Sequence, residues 1–150
     1  MTVHELGHLV LYVRDVERSR RFYRDVLGWR DITPPGAGMP IALFSSGRTH
    51  HELLLIEVGE DAQPVPTGRR VGLYHFGLKV GTTDDELRAV MATLRANGVP
   101  VTGATDHGVT HSLYVKDPDG NEIELYIDVQ PEVWRDRPEA IVETMRPLRL

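Results

Sequence analysis

Alternating apolar and polar residues near the start of the chain predict a β-strand at residues 6–13. Its apolar face carries Leu9, Leu11 and Val13, and its mixed face carries His8, Val10 and Tyr12. A helix is expected next, because Asp15 can cap it, apolar residues recur at helical spacing to about Leu27, and Gly28 can end it. Further strands are predicted at 29–33, 41–45 and 51–58.

The second half of the chain repeats this order of elements. A strand at 73–80 carries His75 as the first strand carries His8, at an offset of 67 residues (75 − 8). Thr83 and Glu86 have the spacing of a capping box for a helix that runs to about Asn97. Three more strands are predicted at 99–102, 110–116 and 122–128, with a turn at 117–121. We interpret the chain as an internal duplication in which each half is strand–helix–three strands.

This pattern predicts an α+β fold of two tandem βαβββ modules within one domain covering residues 1–150. Module 1 spans about 5–58, a linker rich in proline and glycine spans 59–72, module 2 spans about 73–128, and a tail spans 129–150. We expect the tail, with a short helix at 139–145, to pack on the domain surface or at a subunit contact.

Composition excludes several functions. The net charge is −5 and there is no run of lysine and arginine, so we expect neither nucleic-acid nor membrane binding. The chain has no cysteine, which excludes thiol chemistry and fits a cytoplasmic location. It has no apolar run long enough to span a membrane. Seven histidines point instead to metal or acid–base chemistry.

Strand periodicity places three candidate metal ligands on equivalent faces of their strands. His8, His75 and Glu124 each lie opposite the apolar face of their strand, and the duplication would bring the two histidines together near a pseudo-twofold axis. Two imidazoles and one carboxylate form the ligand set of non-haem Fe(II) oxygenases, although the same set accepts other divalent ions. The alternative interpretation is that these are structural histidines on ordinary strands.

The positions of His8, His75 and Glu124 resemble the metal positions of the vicinal oxygen chelate superfamily. This superfamily includes glyoxalase I, fosfomycin and bleomycin resistance proteins, methylmalonyl-CoA epimerase and type I extradiol dioxygenases. The resemblance covers about residues 5–128 and implies a cupped, barrel-like mixed sheet around a metal. Within the superfamily, the segments Arg48-Thr49-His50-His51-Glu52-Leu53 and Asp106-His107-Gly108-Val109, together with Tyr114, look most like the extradiol dioxygenases.

That resemblance implies an Fe(II) enzyme that cleaves a catechol-type aromatic with dioxygen; Mn(II) or another divalent metal is the alternative cofactor. His51 would be the acid–base residue, and His107 and Tyr114 would contact the substrate during catalysis. The remaining substrate-binding residues would be Val10, Tyr12, Leu53 and Ser112. With two modules, the chain is similar to the small single-domain members, and we expect a homodimer.

Two other functions stay open at this point. A lyase, isomerase or thiol transferase on the same scaffold would need a fourth protein ligand, for which Glu52, next to His51, is the candidate. A binding protein that sequesters a drug or small aromatic would need no metal, and the presence of His8, His75 and Glu124 is the argument against it.

Overall fold

Two compact units make up the chain, Met1–Val65 (unit 1) and Pro66–Leu150 (unit 2), and their boundary falls within the predicted linker. The computed structural model describes every residue from Met1 to Leu150. Each unit contains one mixed β-sheet with helices, as expected for an α+β fold. No helix has both the length and the apolar character needed to cross a membrane.

Unit 1 contains a three-stranded sheet in the order β1-β3-β2, in which β1 is parallel and β2 antiparallel to β3. Its elements are β1 (Leu9–Val13), α1 (Val16–Arg21), a π-helical turn (Phe22–Val26), β2 (Ile41–Phe44) and β3 (Leu53–Glu57). The alternation predicted for β1 is confirmed, because Leu11 and Val13 are buried while Val10 and Tyr12 are exposed.

The first helix begins where the sequence predicts and continues as a wider turn. The Asp15 side chain accepts a hydrogen bond of 2.8 Å from the Arg18 amide at the start of α1. After Arg21 the backbone widens into the π-helical turn, and Phe22 and Tyr23 are both buried there. Gly28, with a φ of 70°, follows the last turn and ends the helical segment as expected.

The strand predicted at 29–33 is wrong as a regular element. Only an isolated bridge joins Asp31 to Phe44. The Asp31 carboxylate accepts bonds from both the amide and the hydroxyl of Thr33, and the Leu43 amide donates to that hydroxyl instead of to a backbone carbonyl. These side-chain bonds compete with a regular ladder, so the sheet of unit 1 has three strands instead of four.

Unit 2 contains a five-stranded sheet in the order β4-β7-β6-β5-β8. Its elements are β4 (His75–Gly81), α2 (Asp84–Ala96), β5 (Gly103–Asp106), β6 (Thr110–Lys116), β7 (Glu122–Asp128), α3 (Pro131–Asp136), a 3₁₀ turn (Pro138–Val142) and β8 (Arg146–Pro147). The bounds of β6 and β7 are those predicted. The capping box is confirmed, since Thr83 accepts from the Glu86 amide and the Glu86 carboxylate accepts from the Thr83 amide.

Two predicted elements of unit 2 lie elsewhere. The strand expected at 99–102 is shifted to β5, because Pro100 has no amide hydrogen and pairing with β6 begins only at Thr102, whose amide donates to the Tyr114 carbonyl. The helix expected at 139–145 is the 3₁₀ turn, and the chain then adds β8 to the edge of the sheet. Neither sheet closes on itself into a barrel.

The sheet of unit 2 has one face covered by α2, and we call the opposite face the open face. Ile123, Leu125 and Ile127 of β7 are fully buried on the covered face. His111 lies on that same face, where its Nδ1 is 2.6 Å from the Asp84 carboxylate at the start of α2. The residues between these positions in β6 and β7 therefore point to the open face.

Candidate functional site

The open face of the unit 2 sheet brings His75 and Glu124 together. β4 and β7 run parallel with Gly77 beside Glu124, and His75 Nε2 lies 3.3 Å from Glu124 Oε2. Gly77 leaves the space that the neighbouring side chains use, because a Cβ there would lie 3.2 Å from the Tyr126 ring. The two predicted ligands of this unit are thus neighbours, as the strand periodicity indicated.

Tyr114 extends this pair into a hydrogen-bonded network. Its hydroxyl donates to Glu124 Oε1 over 3.2 Å, and His107 Nε2 lies 3.2 Å from the same hydroxyl. Because the tyrosine hydrogen goes to the carboxylate, the His107 ring is the donor in the second bond. We call His75, His107, Tyr114 and Glu124 the Tyr114 network.

Burial and the nearby Glu124 carboxylate raise the pKa of Tyr114 to about 12. The phenol therefore stays protonated near neutral pH, and it remains a hydrogen-bond donor. Ser112 lies two residues before Tyr114 on the same face and is fully buried, and its Oγ has no hydrogen-bond partner. Their spacing of two residues on one strand accounts for the shared face.

Glu122 is a member of this region that the sequence reasoning missed. It lies in register with His75, and its Oε1 is 3.4 Å from His75 Nδ1, in an orientation that does not make a hydrogen bond. The available signal was simple alternation, because Glu122 is two residues before Glu124 and shares its face.

The turn before β7 sets the phase of Glu124. The Asp117 carboxylate accepts bonds from the amides of Asp119 and Asn121, and the Gly120 amide donates to the Asp117 carbonyl. Gly120 has a φ of 93°, a conformation that favours glycine. This confirms the predicted turn.

In unit 1, three imidazole rings form a cluster where β1 and β3 begin. The ring centroids of His8 and His51 are 4.6 Å apart, and those of His50 and His51 are 4.5 Å apart. The parallel pairing of β1 with β3 brings these segments together, since the Leu9 amide donates to the Glu52 carbonyl. We call His8, His50 and His51 the histidine cluster.

His51 is the most enclosed ring of this cluster. Its Nε2 is buried and has no hydrogen-bond partner, while its Nδ1 lies 2.6 Å from His50 Nδ1. Burial lowers the pKa of His51, and His50 and His8 lower it further. The ring is therefore neutral near pH 7 and able to accept a proton.

Glu52, the alternative candidate beside His51, is occupied by other contacts. Its carboxylate accepts bonds from both the amide and the hydroxyl of Ser46, and Arg48 Nε lies 3.5 Å away. Burial acts to raise the pKa of Glu52, but the Ser46 bonds and the Arg48 guanidinium outweigh it and leave this pKa lowered.

Of the substrate-contact residues predicted in unit 1, Val10 and Tyr12 are exposed on one face of β1. Leu53 is placed differently, which corrects the prediction. It is fully buried and lies in register with Leu9, so it belongs to the core face instead of the face of Val10 and Tyr12. Leu54, in register with Val10, occupies the position expected of Leu53.

The three predicted metal ligands are divided between the units, with His8 in unit 1 and both His75 and Glu124 in unit 2. No group of three or more histidine or acidic side chains lies in a metal-binding arrangement. The predicted acid–base residue His51 lies in unit 1, whereas His107 and Tyr114 lie in unit 2.

Residues 5–125 match the family model described as Glyoxalase/Bleomycin resistance protein/Dioxygenase superfamily. A catechol-2,3-dioxygenase of Bacillus subtilis is 34% identical over 140 residues, which cover 91% of this chain and 47% of that protein. An iron-dependent extradiol dioxygenase of Rhodococcus jostii is 31% identical, over 91% of this chain and 48% of its own length. The chain thus spans about half the length of these two relatives.

A lactoylglutathione lyase of Haemophilus influenzae is 32% identical over 81% of this chain and 90% of its own length. The crystal structure of a glyoxylase/bleomycin resistance protein/dioxygenase domain from Frankia superposes with a TM-score of 0.68 at 20% identity, covering 85% of this chain and 99% of that chain. That structure supports the fold, and the family match extends over most of the sequence. The chain belongs to the glyoxalase/bleomycin resistance protein/dioxygenase superfamily.

Proposed function

We propose that this chain is a metal-dependent extradiol dioxygenase, which opens the ring of a catechol-type aromatic with dioxygen. Its ligands would be His8, His75 and Glu124, and its metal Fe(II), with Mn(II) or another divalent ion as the alternative. The Tyr114 network is the observation that carries this proposal. It joins two of the proposed ligands to two hydrogen-bond donors on one open sheet face.

The residues present fit such a metal. His75 Nε2 and Glu124 Oε2 lie 3.3 Å apart, and two ligand atoms each about 2.1 Å from one ion would be separated by about 3 Å. Imidazole nitrogen and carboxylate oxygen are suitable donors for Fe(II) and for several other divalent ions. His8 would complete the set from unit 1.

Fe(II), when bound, would pass electrons from the catechol, which is oxidised, to dioxygen, which is reduced, and it would lower the pKa of a bound substrate hydroxyl. His51 would accept a proton from that hydroxyl at Nε2, which is buried and unpaired, and return it later in the reaction. Its lowered pKa keeps it in the neutral form that this role needs.

Tyr114 would turn its hydroxyl hydrogen from Glu124 to a substrate oxygen, and His107 would contact the substrate beside it. The raised pKa of Tyr114 keeps its phenol a donor, and His107 fixes the orientation of that phenol. Val10 and Tyr12 offer exposed apolar and aromatic surface for a ring, and Ser112 Oγ adds a buried hydroxyl on the face of Tyr114. A small aromatic substrate accounts for this combination.

A lyase similar to lactoylglutathione lyase is the second candidate, because the chain covers nearly all of that relative's length. This function would require Glu52 as a further ligand. The contacts of Glu52 with Ser46 and Arg48 support His51 over Glu52 as the functional residue.

Metal analysis combined with an oxygen electrode tests the dioxygenase proposal. The purified chain is stripped of metal, reconstituted anaerobically with Fe(II), and mixed with monocyclic and bicyclic catechols in air-saturated buffer. We expect about one Fe(II) per chain, oxygen uptake and a coloured ring-opened product. Metal binding without oxygen uptake, together with isomerisation of a glutathione hemithioacetal, would support the lyase instead.

His51→Ala tests the acid–base role. We expect the variant to keep its metal and lose turnover by roughly 10²–10⁴-fold, the usual contribution of general acid–base catalysis. His4→Ala is the matched control, since His4 is exposed and has no proposed role. Unchanged turnover in His51→Ala would remove this residue from the mechanism.

A further inference from the structure

The C-terminal tail contacts the loop that carries His107. β8 pairs antiparallel with the end of β5, with Arg146 opposite Asp106 and Pro147 opposite Thr105. The Leu148 amide continues this pairing by donating to the Ala104 carbonyl over 3.2 Å. The tail is therefore an edge strand next to the residue that precedes His107.

Asp106 joins the tail to this loop through a buried carboxylate. Its Oδ2 accepts a bond of 2.8 Å from Arg146 Nε, and its Oδ1 accepts a bond of 2.7 Å from the Gly108 amide. His111 Nε2 also faces it, 3.7 Å from Oδ1. Burial acts to raise the pKa of Asp106, but the bonds from Gly108 and Arg146 outweigh it, so this pKa is lowered and the carboxylate is charged at neutral pH.

The loop itself is tight and has the tail against it. The His107 amide donates to the Thr110 carbonyl over 2.9 Å, which closes the hairpin between β5 and β6. Gly108 adopts a φ of 80°, and a Cβ there would lie 3.3 Å from both Cβ and Oγ1 of Thr144. The backbone on both sides of His107 is thus held by one carboxylate and one tail segment.

We infer that Asp106 and Arg146 are positioning residues, which hold the His107 loop so that the imidazole meets the Tyr114 hydroxyl. The contact that this positioning would maintain is the 3.2 Å hydrogen bond between His107 Nε2 and the Tyr114 hydroxyl. The catalytic consequence rests on the proposed dioxygenase function, whereas the positioning of the ring is a property of the unloaded chain. The two can therefore be tested separately.

NMR of the metal-free chain tests the positioning directly. We expect Arg146→Ala to weaken the NOEs between the His107 and Tyr114 rings and to speed hydrogen exchange at the Gly108 amide by about tenfold or more. Arg149→Ala, a change in the same exposed tail, should leave both unchanged. Arg146→Lys should keep part of the NOE intensity and part of the slow exchange at Gly108, because a lysine ammonium can still reach the carboxylate. Ring NOEs and Gly108 exchange that are unchanged in Arg146→Ala would overturn the inference.

A kinetic cycle tests whether Arg146 acts through His107. We expect Arg146→Ala to lower kcat by about threefold to thirtyfold, since small displacements of an orienting group cost rate. In a His107→Ala background, the further change to Arg146→Ala should alter kcat by less than about twofold. An equal drop in both backgrounds would show a merely structural role. If no catechol is turned over at all, the dioxygenase proposal fails while the NMR result still decides the positioning.

Melting temperature separates positioning from stability. The Arg146 side chain is 69% exposed, and exposed ion pairs contribute little to stability, so Arg146→Ala should melt close to the unmodified chain. If it unfolds instead, Asp106→Asn is the replacement variant. It keeps an acceptor for the Gly108 amide but removes the charge that holds Arg146, and the same NOEs and exchange rates then decide the inference.

Discussion

Units 1 and 2 both begin with a strand, a helical segment and two further strands, but they present their polar groups in different ways. The histidine cluster of unit 1 consists of mutually tilted imidazoles where two strands begin, and burial together with neighbouring rings lowers the pKa of His51. The Tyr114 network of unit 2 spans β4, β6, β7 and the loop after β5, and the Glu124 carboxylate bonds to Tyr114 and lies beside His75. The same scaffold thus provides a neutral proton acceptor in one unit and oriented donors with an anionic ligand in the other.

The two helices differ in a related way. α2 is a regular helix of 13 residues with a reciprocal capping box. At the start of α1 the Asp15 side chain accepts a hydrogen bond from the Arg18 amide, without the reciprocal bond of a capping box. After six residues α1 continues as the π-helical turn, in which Phe22 and Tyr23 are buried. The second module therefore follows the local rules for helices more closely, while aromatic packing overrides them in the first.

The largest effect is expected from the core under the Tyr114 network. Leu125→Ala removes a fully buried side chain from β7. Leu125 lies between Glu124 and Tyr126 in the strand and points to the opposite, covered face. We expect the free energy of unfolding to fall by about 2–5 kcal/mol, because a cavity remains where the side chain was. Urea denaturation followed by circular dichroism measures it. Leu6→Ala, at a site 80% exposed, is the control, and a loss below that range would show that the core under this face is loosely packed.

The next largest effect distinguishes the two units by their chemistry. Tyr114→Phe removes the hydroxyl that links His107 to Glu124, and we expect turnover to fall roughly tenfold to a hundredfold through loss of one oriented donor. This is a smaller loss than that expected for His51→Ala. Steady-state oxygen uptake measures it. Tyr126→Phe makes the same change on the same face and should retain turnover; equal losses in both variants would contradict a specific role for Tyr114.

A smaller effect concerns the start of α2. Thr83→Ala removes the hydroxyl that accepts a hydrogen bond from the Glu86 amide, and it should lower the free energy of unfolding by about 1 kcal/mol. Thr82→Ala is the neighbouring control, because the Thr82 amide still reaches Glu86 in that variant. Thermal melting followed in the far ultraviolet compares the two, and equal melting temperatures would show that the cap is dispensable.

The smallest effect is a pH dependence at the same cap. Hydrogen bonds from the backbone amides of Thr82 and Thr83, together with one from the Thr83 hydroxyl, lower the pKa of the Glu86 carboxyl below its usual value. Its contribution to stability is therefore present above its pKa in the unfolded chain and is lost as the pH falls through the lowered value. We expect Glu86→Gln to be less stable than the unmodified chain at pH 7 and equally stable in strong acid. Urea midpoints across that range test this, and a pH-independent difference would contradict it.

Several features followed from residue order alone. Alternation assigned the faces of β1, β6 and β7, since side chains on a strand must point to opposite sides. Local hydrogen-bonding rules located the cap at Thr83 and the turn at Asp117, because both are made by residues a few positions apart. Alternation also placed His75 and Glu124 opposite the apolar faces of their strands.

Other features were decided only by the tertiary structure. The irregular path at Asp31, the buried position of Leu53 and the attachment of β8 to β5 depend on partners 10 or more residues away, which no local pattern identifies. The contact of Asp106 with Arg146 likewise exists only once the tail packs against the sheet. Sequence therefore determined which residues can share a face, and long-range packing determined which of their polar groups are free and which are held.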